Sequence, residues 1–455
     1  MSPKQTPREK VSKMPVINAF AAGIDVGSRF HYVAIGQQKD QTRKFGCYTE
    51  DLHALCNWLI ENGITTVALE STGSYYQALF ILLQSYNLNP ILVNGKYTKN
   101  VSGKKTDVLD CQWIQKMHSL GLLQGSFIPD LFTEKLRQYC RHRQTLVEGC
   151  ARYKNKMQKA LRLMNIRLDS AITEVTGVTG KAIITAILSG ERDAEKLAGL
   201  CSRGIKKSRQ EVALALTGDW REEYVFELRH CYELYCYYQS KIGECDKEIQ
   251  SILNQQISES NIVLPELEGK RKRLSRNDPN IDLRNLSYHL SGGIDVGAIE
   301  GVGIGTIMTL ISEVGFDLKA FPSAKHFVSW LRLAPNKKIT GGKVISSRTK
   351  TGKNRLADAF RHAANGVGNI RRGGALNQFF KRIAYRKGRV CAIVATARKL
   401  AVIVWTMLTK RVNYNPIPSV EYLDKMRQSQ LKKIRRKIMQ LNVRPEEIEF
   451  SVSGQ

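Results

Sequence analysis

Along residues 20–125 the spacing of apolar positions switches repeatedly between a period of two and a period near 3.6. "AAGIDVGSRFHYVAIG" holds two short runs of Val, Ile and aromatic residues, the pattern of two strands, and "RKFGCY" reads as a further one. "DLHALCNWLIENG" has helical spacing, with Asp51 placed as its N-cap and Gly63 as its stop. "ITTVALE" is a continuous apolar run ending on Glu70, as a buried strand requires. "SYYQALFILLQSYN" predicts a helix, "PILVN" a strand and "DVLDCQWIQKMHSLG" another helix.

Strands come first and mixed α/β units follow, an order that fits a ribonuclease H-like fold. A doubly wound dinucleotide fold fits less well, because no G-x-G-x-x-G follows the first strand. From 133 to 166 the pattern changes to a 3/4 spacing. Leu136, Arg143, Cys150, Met157 and Met164 alternate with Tyr139, Leu146, Tyr153 and Ala160. Leu228, Cys231, Tyr235, Tyr238, Ile242, Cys245, Ile249 and Ile252 repeat it. Both are coiled-coil seams, on helices roughly 40 Å long, making an antiparallel arm or an oligomerisation device. Residues 265–292 are polar and read as a linker or irregular insert. Gly301-Val302-Gly303, followed by an apolar helical run, matches a helix-hairpin-helix pattern whose glycines let backbone N–H groups approach a phosphate.

The expected architecture is α/β plus α. It comprises a basic disordered tail (1–17), an α/β domain (18–130), a coiled-coil domain (131–264), a linker (265–295), a mainly helical C-terminal domain (296–412) and a basic tail (413–455).

Charge narrows the function. Lys and Arg total 70 against 41 Asp and Glu, a formal net charge of +29, so a polyanionic partner is expected. The first seam helix carries Lys135, Arg137, Arg141, Arg152, Lys154, Lys156, Lys159 and Arg162, either as a solvated face or as one that tracks phosphates. The ten cysteines are scattered, with no C-x-x-C pair and no zinc spacing. No signal peptide and no apolar run of membrane length is read. The expectation is a cytoplasmic, nucleoid-associated protein with no membrane partner.

Four acids form the candidate chemistry. Asp25 lies in a strand with Gly27 just after it, Glu70 ends another strand, and Asp107 and Asp110 share one face of a predicted helix. Each has an ordinary explanation: a turn residue, a helix cap, or acids favoured at a helix N-terminus. Together, strand ends facing one helix can supply the carboxylates that two Mg²⁺ ions require for phosphoryl transfer, and Mn²⁺ can substitute.

"GIDVGSRFHYVAI", "ALESTGSYY", "KKTDVLDCQW" and "GGKVISSRTK" together resemble the DEDD transposases of bacterial insertion sequences, relatives of the Piv invertase, over about residues 20–410. The resemblance implies a RuvC-like N-terminal domain, a coiled-coil middle and a C-terminal transposase domain. It also implies a dimeric to tetrameric assembly, double-stranded donor and target DNA, and a structured guide RNA (a bridge or seeker RNA). In that family a serine just before a glycine becomes linked to DNA. Here Thr340 precedes Gly341 and Gly342, so Thr340, Ser346 and Ser347 are the candidate nucleophiles. Lys338, Lys343, Arg348, Lys350, Lys353 and Arg355 surround them, and with Lys104, Lys105, Arg152, Lys156, Gly301 and Gly303 form the expected nucleic-acid contacts. Two other functions fit the residues: a junction-resolving nuclease using metal-activated water, and a non-catalytic regulator derived from a transposase.

Overall fold

The computed structural model describes residues 15–95, 106–260, 274–371, 373–416 and 418–442, with 262, 264, 265 and 267. The chain forms two compact units, residues 1–128 and 129–455.

The first unit contains β1 (Ala21–Val26), β2 (Phe30–Ala34), β3 (Thr42–Gly46), α1 (Thr49–Glu61), β4 (Thr66–Glu70), α2 (Tyr76–Ser85), β5 (Pro90–Val93) and α3 (Asp107–Ser119). The strands form one sheet in the order β3-β2-β1-β4-β5. β1 to β3 pair antiparallel through short connections, whereas β4 and β5 join parallel and need α1 and α2 as crossovers. Alternation gives the sheet two different faces. Ala22, Ile24, Val26, Val33, Phe45, Val67 and Leu69 pack with the buried leucines of α1 and α2. The opposite face, with Gly23 and Asp25 on β1, receives α3. A side chain at Gly23 would collide with the Gln115 backbone, its Cβ only 2.2 Å from the amide nitrogen.

Asp51 is not the N-cap of α1. The helix opens at Thr49, and the Asp51 carboxylate in its first turn accepts the Tyr48 N–H at 3.2 Å. Gly63, at φ +67°, turns the chain out of the helix as expected.

The second unit begins with α4 (Leu131–Leu163), followed by α5 (Leu168–Ala171), α6 (Val178–Leu188), α7 (Ala194–Gly199), α8 (Arg209–Leu216) and α9 (Glu222–Ser260). At 33 and 39 residues, α4 and α9 are about 50 and 58 Å long, well beyond the expected length. Asp130 starts α4 early by accepting the Thr133 N–H at 2.8 Å. The two helices run antiparallel with their apolar seams facing each other. Arg143 pairs with Asp246, Gln239 donates to Cys150 Sγ at 3.1 Å, and the Tyr153 and Tyr238 rings lie 5.6 Å apart. The seams are therefore consumed within one chain, as in an arm. Helices α5 to α8 fold onto the same core, burying Ile183, Ile184, Ile187, Leu197, Val212 and Leu216.

The remaining elements are α10 (Leu283–Leu290), α11 (Ile304–Glu313), α12 (Ala324–Trp330), β6 (Lys338–Thr340), β7 (Lys343–Ser346), α13 (Arg355–Asn369), α14 (Ala375–Lys387), α15 (Arg389–Lys410) and α16 (Ser419–Gln440). Helix α10 lies inside the stretch read as a polar linker. Asp282 caps it, and Arg284 is held to Asp295 at 2.5 Å. The sequence reading also missed that α15 is long and apolar enough to cross a membrane, with mean hydropathy 1.7 over its best window. It buries Ala397, Leu400, Ala401, Val404 and Met407 and packs against α12, α13 and α14, as the core helix of a folded domain does.

Candidate active site and nucleic-acid interface

Asp25 and Glu70 stand near the C-terminal ends of neighbouring parallel strands, Ile24 being paired with Leu69. Their apolar neighbours Ile24 and Leu69 face the α1–α2 core, so alternation turns both acids toward the α3 side. Helix α3 is set there by specific contacts. The Thr106 hydroxyl caps it by accepting the Leu109 N–H at 3.3 Å, which puts Asp107 and Asp110 in its first turn. The buried Gln115 donates to the Ala21 carbonyl at 3.2 Å and accepts from Gln37 at 2.6 Å. Gln112 donates to Thr42 Oγ1 at 3.1 Å, and His118 Nε2 meets Thr66 Oγ1 at 2.9 Å.

The acids share an electrostatic neighbourhood. Burial first, then the charges of Asp107, Glu70 and Asp110, push the Asp25 carboxyl up from an ordinary 3.8 to about 6. The Cys111 thiol is pushed up to about 12, chiefly by its own burial and next by Asp25. Yet among the described residues no group of three or more His, Cys, Asp or Glu side chains is gathered closely enough to hold a metal ion. The expected convergence is therefore partial: the carboxyls feel one another without forming a closed cage. A desolvated carboxylate crowded by three others fits a divalent cation in the chemistry of its donors.

The C-terminal candidates lie on a β-hairpin. Thr340 pairs with Lys343 across Gly341 and Gly342, whose φ values of +53° and +75° give the turn that a two-residue hairpin needs. Thr340 and Ser347 are exposed, whereas Ser346 is half-buried and its Oγ accepts the Arg348 N–H at 3.3 Å. Lys338, Lys343, Arg348, Lys350, Lys353 and Arg355 are exposed around them, and among the described residues only Arg355 of these approaches a carboxylate, Glu313 at 4.0 Å.

Two family models match the chain. One, described as a transposase of the DEDD IS110 type, covers residues 22–166, and the other, the transposase IS116/IS110/IS902 family, covers residues 296–379. The matched stretches hold all four acids and the whole hairpin, and together span half the chain. The chain belongs to the IS110 family of DEDD transposases. It is an enzyme that acts on DNA. No curated protein matches it.

In this transposase, four of the cations on α4 make internal ion pairs. Arg137 and Arg141 bind the C-terminal end of α11: Arg137 donates to the Glu313 carbonyl at 2.7 Å, and Arg141 grips its carboxylate at 3.0 and 2.8 Å. Lys154 pairs with Glu174 at 2.7 Å, and Arg162 with Asp169. Arg152 and Lys156 are exposed and in no ion pair among the described residues, so the phosphate-tracking reading survives for them. Gly301, at φ +81°, closes onto α13, where an added Cβ would sit 2.6 Å from the Ala363 carbonyl. That glycine serves packing. Gly303, at the start of α11, has open space beside it. Lys104 and Lys105 lie outside the described residues.

Sequence reasoning missed Gly23, Gln112 and Gln115, which fix α3 against the sheet. A glycine in a strand interior was the available signal, because it marks close approach of another backbone.

Proposed function

We propose that this transposase is an RNA-guided, Mg²⁺-dependent DNA recombinase with a ribonuclease H-like, RuvC-like N-terminal domain. The observation that carries the proposal is Asp25, a strand carboxyl whose proton affinity is raised first by its burial and then by the three other acids chosen from the sequence. The sheet order β3-β2-β1-β4-β5, with the last two strands parallel, supports the fold assignment. Asp25, Glu70, Asp107 and Asp110 would hold the divalent cations. Bound there, the cations supply Lewis-acid stabilisation to the oxygens of a phosphoryl transfer.

The chain's own residues supply the rest. The nucleophile is a hydroxyl of the hairpin, Thr340 before Ser346 or Ser347, because Thr340 occupies the position just ahead of Gly341 and is exposed. The hydroxyl gives up its proton as its oxygen bonds to the scissile phosphorus, one P–O bond of the strand breaks, and the departing oxygen takes up a proton. Lys338, Lys343 and Arg348 stabilise the negative charge that develops. Donor and target double strands are the substrates, a structured guide RNA selects them, and two to four copies of the chain assemble around them.

Incubation with labelled DNA and Mg²⁺ tests this reading. The expected product is a covalent protein–DNA adduct, lost in Thr340→Ala and retained in Ser347→Ala. A small discrete RNA is expected to copurify. Free 5′-phosphate ends without an adduct would favour a junction-resolving nuclease, a reading that the threonine in place of the family's serine keeps in view.

A further inference from the structure

Helices α14 and α15 meet at a single residue, Gly388, whose φ of +81° closes one helix and opens the next. Tyr385, in the last turn of α14, is 95% exposed, more than any other large apolar or aromatic side chain among the described residues. Val390, one residue into α15, is 76% exposed. A single exposed aromatic is ordinary on a protein surface. The electrostatic setting here is not. Lys381, Arg386, Lys387 and Arg389 flank Tyr385, and none of them is in an ion pair among the described residues. Arg389 is fixed by two neutral amides, donating to Asn365 Oδ1 at 2.6 Å and Asn369 Oδ1 at 2.7 Å, so its charge stays uncompensated. Between Asp317 and Glu421 the chain has one acid, Asp358, against 22 Lys and Arg.

We propose that this elbow is a nucleic-acid contact in which Tyr385 stacks on an unpaired base or an opened base step while Arg386 and Lys387 hold the flanking phosphates. The charge complementarity selects the partner: an aromatic face set among cations suits a base and its phosphodiester. The positive φ of Gly388 lets the two helices meet without further loop residues, so the tyrosine is carried at a helix–helix junction. The elbow lies beyond the matched family segments, the second of which ends at residue 379. The inference rests on the chain's action on DNA and is independent of the roles given to the four acids.

The test uses the full-length chain and three fluorescent probes of mixed sequence: a DNA duplex, a DNA single strand and an RNA hairpin. Tyr385→Ala is expected to weaken binding of at least one probe by about 5- to 150-fold, with Tyr385→Trp restoring it, and the affected probe identifies the strand that is stacked. Arg386→Gln with Lys387→Gln should flatten the salt dependence of that binding by about two units of slope. The tyrosine effect should persist in an Asp25→Asn background. Loss of DNA cutting there with the stacking effect intact is expected, and it would leave this inference standing even if the adduct experiment failed. Wild-type affinity of Tyr385→Ala for all three probes, or failure of Tyr385→Trp to restore binding, overturns the proposal.

Discussion

Asp25 binds its proton up to about pH 6, against an ordinary value of 3.8, because burial and three neighbouring carboxylates all disfavour its charge. A raised folded-state value in an acid means that stability is lost as pH rises through the window between the two values. Above that window the charged form is a liability unless a cation compensates it. In chelator at pH 7, Asp25→Asn should therefore be more stable than wild type by about 1–2 kcal/mol, after allowing for the water that still reaches the half-buried group. The gap should close as pH falls below about 4. Added Mg²⁺ should raise the unfolding temperature of wild type and leave that of the variant in place. Thermal unfolding across pH, with and without the ion, checks all three expectations. Asp25 and Glu70 were legible in the sequence because each sits at the end of a short apolar run. Gly23 and Gln115 were not, because their importance arises only when α3 crosses the sheet, a tertiary contact that no local pattern encodes.

At the scale of elements, the 3/4 spacing of α4 and α9 was legible because a seam must keep its period to stay buried. Their lengths were not, since the N-cap Asp130 and the polar first turns lie outside the apolar repeat. Arg143 occupies a seam position where an apolar residue is expected. It is accommodated by Asp246 on the facing helix and by the Asn277 carbonyl at 2.9 Å. Removing one partner strands a buried charge, so Asp246→Ala should cost about 3–5 kcal/mol in denaturant unfolding. Gly-Gly between Ile-Thr and Lys-Val-Ile is a hairpin signal in the sequence, and it folds as the β6–β7 hairpin that carries Thr340. Its turn depends on Gly342 at φ +75°. Gly342→Val should cost about 1–2 kcal/mol locally and reduce adduct formation strongly while leaving the melting of the α4–α9 pair unchanged, which circular dichroism and the adduct assay separate.

For the whole molecule, the net charge of +29 pointed to a polyanion but not to where it binds. The structure divides the cations into two groups. Arg137, Arg141, Arg143, Lys154 and Arg162 are spent on internal pairs, while the hairpin and the α14–α15 elbow keep most of theirs exposed. Such a division depends on which acids fold next to which bases, so the sequence could reveal the surplus but not its distribution. The four acids and the hairpin hydroxyls belong to different compact units, and the chemistry proposed for them stands first on the acids. A Mn²⁺ titration of the full-length chain, followed by electron paramagnetic resonance, tests that foundation most directly. Wild type should remove the free-ion signal in a saturable way, and Asp25→Ala, Glu70→Ala, Asp107→Ala and Asp110→Ala should each lose that capacity while keeping wild-type circular dichroism. Wild-type Mn²⁺ binding in all four folded variants would contradict the account.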